Sequence, residues 1–291
     1  MFDKNPEEHF IKEGNPNKPT YYIIRRLDET TELSDIFLIV MGHVRYALSK
    51  GWLPVVDMQN YPNIYLDPEK IGKENSWEYY FEQPFRFGVE QAYEGENVVL
   101  SNGSGVKSSP DSSMNLLWKK NDELVEWRML FKLGLMAIKP ELLKEFSAMR
   151  EKIFSLDDIV LGVLLRGGTD KKIKGRPIAP PAEFAVNAVN ERFQAWGCEK
   201  ILLATDDPNV TETFKNAFGD RCVSLDQLYT VCYDTDTDEI NFFLQGKKHL
   251  AQTVLLAGCN SLIAERRADT TITMLSAKKF EHSLFFNLGN Y

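Results

Sequence analysis

The residues Arg166-Gly167-Gly168-Thr169-Asp170 stand at the end of an almost wholly apolar run, residues 157–165. Their types suit the capture of a phosphate or diphosphate. An arginine fixed at a buried strand end presents a planar fork that donates two parallel, charge-assisted hydrogen bonds. Gly167 and Gly168 let backbone approach a ligand closely, and Thr169 and Asp170 add a hydroxyl and a carboxylate. An Arg–Asp ion pair that staples the loop uses the same residues. A second group, Thr205-Asp206-Asp207-Pro208, follows the apolar run 200–204. Pro208 suits a first helical position, which makes Asp207 the N-cap and leaves Asp206 for hydrogen bonds to a ribose or base. A third group, Glu265-Arg266-Arg267-Ala268-Asp269-Thr270-Thr271, sits where a strand gives way to a helix. Free N–H groups and the dipole at such a helix start attract phosphate. Thr270 and Thr271 also read as caps of that helix, and Arg266 and Arg267 as surface charge.

These groups need a scaffold that brings strand ends together. The pattern predicts strands over 157–165, 200–204, 221–225 and 261–265. Between and after them it predicts helices over 182–196, 208–218 and 246–259, and a helix start over 270–277. Gly197 and Gly219 close the first two helices. Alternation of this kind builds a doubly wound parallel sheet, which binds ligands beyond the carboxyl ends of its strands. The first half carries its own strand–helix–strand unit: residues 21–26, a helix from the N-cap Ser34 to Gly51, and residues 53–57. Residues 1–20 read as an arm, 98–100 as a further strand, and 124–154 as one or two helices broken at Lys139-Pro140. Asp57, at the end of an expected strand, is a second candidate for acid–base work, or else a cap of the following turn. Residues 60–94 are dense in aromatics, which serve either as a sugar-stacking platform or as core beneath long loops.

Bulk properties narrow the function classes. The 291 residues allow two domains of ordinary size, and 43% hydrophobic with 26% charged content is that of a globular chain with real cores. A net charge of −8 argues against a nucleic-acid partner, because phosphate neutralisation needs clustered Lys and Arg. The four cysteines have no C-x-x-C spacing and the four histidines stand far apart, so neither a metal site nor a disulfide framework is expected. The N-terminus is too charged for a signal peptide, and no apolar run approaches a membrane span. A cytoplasmic location is therefore the expectation, with peripheral attachment at the inner face of the membrane left open. The basic loop Lys171, Lys172, Lys174 and Arg176 reads as a phosphate or lipid-diphosphate contact, or as solvated charge. A nicotinamide-dependent enzyme is disfavoured, since no first strand is followed by G-x-G-x-x-G opening a helix.

The Arg166–Asp170 motif after Gly162-Val163-Leu164-Leu165, followed by Ala204-Thr205-Asp206-Asp207-Pro208, resembles the motif pair of the fucosyltransferase superfamily. That superfamily takes in α-1,6-, nodulation-factor and protein O-fucosyltransferases. Trp77-Glu78-Tyr79-Tyr80-Phe81 and the closing Phe285-Phe286-Asn287-Leu288-Gly289-Asn290-Tyr291 resemble bacterial members among surface-polysaccharide glycosyltransferases. The resemblance spans most of the chain. It implies an α/β fold of two Rossmann-like domains facing a cleft, the GT-B type, with residues 1–155 on the acceptor side and 156–291 binding the nucleotide-sugar. It further implies inverting, metal-independent transfer from GDP-fucose to a glycan or glycolipid acceptor, with no cofactor beyond the donor. By motif position Arg166 would hold the β-phosphate and Asp206 would lie in the nucleotide pocket. The segment Arg267–Thr271, with Asp269 and Thr270 inside it, would carry the hydroxyl that caps the diphosphate. Asp170 is the expected base or donor-orienting acid, with Asp57 second. The chain departs from the family pattern at Leu164, where His is usual, and at Gly167, where a second Arg is common. Gly168 stands as an extra residue, and Gln252 replaces an acid facing the base. These departures also suit a catalytically inactive relative that binds a glycan or nucleotide.

Overall fold

The computed structural model describes residues 9–25, 29–101, 122–166, 177–225, 241–277 and 280–291. Gly167, Gly168, Thr169, Asp170 and the basic loop lie outside them. The chain divides into two compact units, Met1–Leu142 with Ile240–Leu250, and Leu143–Glu239 with Ala251–Tyr291.

The first unit holds a four-stranded sheet in the order β1-β4-β2-β3. Its strands are β1 (His9–Lys12), β2 (Thr20–Arg25), β3 (Leu53–Asp57) and β4 (Asn97–Leu100). β2 runs parallel to both β3 and β4, while β1 lies antiparallel on β4. Part of the expected arm is thus an edge strand. The helix α1 (Leu33–Ser49) makes the crossover between β2 and β3. Its N-cap is Glu32 rather than the expected Ser34, and no side chain caps it. The reason is a contact distant in sequence: the Tyr65 hydroxyl accepts the Leu33 N–H at 2.8 Å and takes the place of a capping group. At the other end Gly51 adopts φ +72°, and the Trp52 N–H returns to the Ala47 carbonyl, as a left-handed C-terminal cap requires. Four of the nine aromatics in the stretch 60–94 are core. Trp77, Tyr80, Phe81 and Tyr65 are all buried, and Phe37 of α1 packs on Trp77 and Phe81. The remaining helices of the unit are α2 (Val89–Glu94) and α3 (Asp122–Lys132), and α4 (Pro140–Glu151) starts at the predicted break.

The second unit holds five parallel strands in the order β7-β6-β5-β8-β9. They are β5 (Val160–Leu164), β6 (Lys200–Ala204), β7 (Cys222–Ser224), β8 (Ser261–Glu265) and β9 (His282–Phe286). β5, β6 and β8 read in sequence as apolar runs because both faces are covered. One face packs α5 (Ala182–Ala195) and α6 (Pro208–Phe218), through Val189, Phe193, Val210 and Phe214. On the other, Gly162 of β5 leaves room for Leu256 and Cys259 at the end of α7 (Phe242–Ala257). α8 (Ala268–Ser276) follows β8, starting two residues before the predicted Thr270. The strand β9 is absent from the sequence-based assignment. Only its last residue is fully buried, so HSLFF shows neither a continuous apolar run nor clean alternation.

Candidate functional site at the carboxyl ends of the second sheet

In chain order the strands of the second sheet lie third, second, first, fourth, fifth. The order reverses between β5 and β8, and such a switch point opens a crevice at the carboxyl ends. Arg166 stands there, two residues past β5. Its backbone N–H donates to Glu265 Oε1 at 2.9 Å, so the last residue of β8 fixes the chain where it leaves β5. Its guanidinium donates to Asp269 Oδ2 at 2.8 Å, in the first turn of α8, and to Asp206 Oδ2 at 3.2 Å, beyond β6. The three groups singled out in the sequence therefore meet at one guanidinium. The Arg166 side chain is only 13% exposed, and Asp269 is 6% exposed, whereas Asp206 is 58% exposed. The Asp269 pair is the anchored one, and the Asp206 contact is the one an incoming ligand can exchange.

Asp207 is the N-cap of α6, its Oδ1 accepting the Asn209 N–H at 2.9 Å with Pro208 next in line. Thr270 is fully buried and donates to the Glu265 carbonyl at 2.6 Å. Thr271 donates to the Arg267 carbonyl at 3.1 Å. Both hydroxyls thus serve the strand-to-helix turn, and the N-cap Arg267 contributes no side-chain cap to α8. The Arg266 Nε is buried and has no acceptor among the described residues. Gln252 lies half-buried on α7. Glu265 heads the third sequence group but has no role assigned to it from sequence. The signal for it was a carboxylate closing an apolar strand, which a packed sheet tolerates only if donors meet it.

Asp57 belongs to the first unit and has another role. It is fully buried, and its carboxylate accepts from the Gln59 and Asn60 N–H groups, the Asn60 amide and the Tyr93 hydroxyl, at 2.9–3.1 Å. Burial, and then the Asp57 charge, push the Tyr93 hydroxyl above its ordinary range and keep it a donor. With four donors on two oxygens, Asp57 caps the turn after β3 rather than facing open space. Among the described residues no group of three or more His, Cys, Asp or Glu is placed to hold a metal ion. Among them, too, no helix is long and apolar enough to cross a membrane.

Solved structures similar in fold to this chain include fucosyltransferases. An α-1,6-fucosyltransferase, NodZ, soaked with GDP-fucose superposes with a TM-score of 0.56 over 89% of this chain and 93% of that one, at 16% identity. Arabidopsis thaliana FUT1 in complex with GDP gives 0.53 over 94% of this chain and 71% of that one, at 10% identity. POFUT1 in complex with GDP gives 0.50 over 94% and 99%, at 10% identity. Its fold is the fucosyltransferase fold. No family model matches the sequence, and no curated protein does. The fucosyltransferase fold with identity this low carries the α/β architecture and its parallel sheets, and leaves activity to be argued from the site.

Proposed function

We propose that the chain is a glycosyltransferase that uses a GDP-linked sugar, with fucose as the sugar, in bacterial surface-polysaccharide synthesis. The acceptor is a glycan or glycolipid, reached from the cytoplasmic side with peripheral association at the membrane. The observation that carries this reading is Arg166, a mostly buried guanidinium at the switch point of a parallel sheet, held from β8 and paired beside the start of α8. The two units, one with a mostly parallel sheet and one with a wholly parallel sheet, suit a GT-B arrangement, an acceptor-side domain over 1–155 and a nucleotide-sugar domain over 156–291 facing a cleft. The neighbours described with GDP or GDP-fucose support the choice of donor.

In this reading the donor diphosphate takes the Arg166 donors now given to Asp206, and Asp269 keeps the guanidinium in place. Asp206, released, accepts from the ribose or base. The α8 N–H groups and the unmatched Arg266 Nε share the remaining charge, so the departing diphosphate is stabilised without a metal. A base removes the acceptor hydroxyl proton as that oxygen attacks the anomeric carbon and the bond to the diphosphate breaks, with inversion. Asp170 is assigned as this base, because Asp57 is saturated by its own turn. Gly167, Gly168 and Thr169, next to Arg166 in sequence, are assigned to diphosphate binding.

Calorimetry with GDP tests the anchor. Arg166→Ala is expected to weaken binding by about 2–5 kcal/mol, through the lost pair and the carboxylates left facing one another. Unchanged affinity would sink the assignment. Gln252, an amide where the resemblance implies an acid, favours a second reading, a relative that binds without turnover. Tight GDP binding with no donor consumption across a GDP-sugar and acceptor panel would establish that one instead.

A further inference from the structure

β3 is one edge of the first sheet, and its outer side is covered by side-chain amides. The Gln83 amide accepts the Val56 N–H at 2.9 Å and donates to the Val56 carbonyl at 2.9 Å. Asn75 donates to the same carbonyl at 2.8 Å and accepts the Met58 N–H at 3.2 Å. Covering an edge in this way prevents pairing with another chain. Each amide then has one N–H left, and both send it to Glu78 Oε1, at 3.1 Å from Asn75 and 2.9 Å from Gln83. One carboxylate oxygen is gripped by two donors fixed to the sheet, and Oε2 lies outside both bonds.

Glu78 also lines two concavities that share it and Gly88. One, of about 350 Å³, has Gln83, Arg86 and Lys139 in its wall, and the other, of about 560 Å³, has Gln59, Lys73 and Gln91. Both fall in the size range of small-molecule sites, about 300–1,000 Å³. Arg86 sits at φ +61°, a left-handed conformation that a long side chain rarely adopts and that clusters at binding sites. In the smaller cavity Glu78 and Glu82 balance Arg86 and Lys139. In the larger one Glu74 is paired with Lys70 at 3.1 Å, and Glu78 and Glu90 outnumber the ammonium of Lys73. Such a lining repels an anionic glycan or a lipid diphosphate. A pre-positioned carboxylate oxygen instead suits sugar hydroxyl donors, at little ordering cost.

We propose that these two concavities bind a neutral saccharide, with Glu78 Oε2 accepting its hydroxyls at the wall they share. As the acceptor subsite, this rests on the transferase reading; as a saccharide site, it stands without it. Saturation-transfer NMR on the full chain tests it with lactose, cellobiose and N,N′-diacetylchitobiose as neutral probes and 3′-sialyllactose as the anionic one. Glu78→Gln keeps an oxygen for the two amides and replaces the other with a donor, so it preserves the fold while removing the acceptor. Gln91→Trp fills the larger cavity from the exposed side of α2 without touching the amide network. At least one neutral probe is expected to bind the wild type, tenfold or more weakly in Glu78→Gln and more weakly in Gln91→Trp, with sialyllactose below lactose. Absence of neutral binding to the wild type, or unchanged binding in both variants, overturns the proposal. GDP titration of the same samples separates the two readings: Glu78-dependent saccharide binding without GDP binding removes the transferase and keeps the saccharide site.

Discussion

Arg166 and Asp57 show how the same kind of residue, a charge at a strand end, takes opposite roles. Arg166 is held on one side by the buried Asp269 and on the other by the exposed Asp206, so one of its partners is exchangeable. Asp57 has four protein donors and nothing left to give. Asp57→Ala strands those donors and is expected to cost about 3 kcal/mol of stability, read as a lower urea midpoint at unchanged slope. Loss of turnover with an unchanged midpoint would instead return Asp57 to catalysis. Arg86 carries backbone strain where it lines a cavity. A left-handed conformation costs an ordinary residue about 1–2 kcal/mol, and glycine offsets part of this with its own chain entropy. Arg86→Gly should therefore raise the urea midpoint by the equivalent of about 0.5–1 kcal/mol, and a lower midpoint would show that the strain is compensated by contacts of the side chain.

At the scale of elements, the ends of helices and the crossings between them set what can change. Asp207 and Pro208 start α6 with a cap whose loss, in Asp207→Ala, should cost about 1 kcal/mol. α7 crosses Tyr80 at Gly246, and Tyr80 stacks on Phe243 while donating to its carbonyl at 3.1 Å. A Cβ at position 246 would overlap the Tyr80 ring and hydroxyl. Although alanine is the better helix former, Gly246→Ala is expected to destabilise by about 1–3 kcal/mol through overpacking. Pairing it with Tyr80→Leu should recover part of the loss in thermal denaturation. If Gly246→Ala melts at or above the wild-type temperature, the close crossing is not what selects glycine there.

For the whole molecule, three buried thiols report on the second unit. Burial pushes Cys198 up to about 11, and Cys222 and Cys259 up to about 12, from an ordinary 9.0. Cys232 lies outside the described residues. Folded values above unfolded ones mean that this contribution to stability is whole below about pH 9 and is lost as pH rises through 11 to 12. Iodoacetamide at pH 8 should leave Cys198, Cys222 and Cys259 unmodified until urea opens the unit, and the urea midpoint should fall with pH above about 9. Rapid native-state labelling of any of the three, mapped by peptide mass, would contradict their placement.

The sequence by itself determined the second sheet in outline. Strands covered on both faces write themselves as apolar runs, and Asp207-Pro208, Gly197 and Gly219 mark helix ends through backbone chemistry that acts within a few residues. It also singled out Arg166 as a phosphate-binding fork and Asp206 as an acid left over from capping, while Asp269 came in only with the segment Arg267–Thr271 that the resemblance implies. What it left out is non-local. Glu265 becomes a site residue only when β8 lies beside β5, and β9 is a strand only because β8 offers it an edge. Ser34 lost its capping role to Tyr65, thirty-odd residues on in the chain, and the Asp57 cap, which the sequence offers as local, gains a distant fourth donor in Tyr93. The grip on Glu78 needs the edge of β3 to fix Asn75 and Gln83 first. Which donor reaches which acceptor across such separations is decided by chain folding, since no local pattern encodes the distance between groups far apart in sequence.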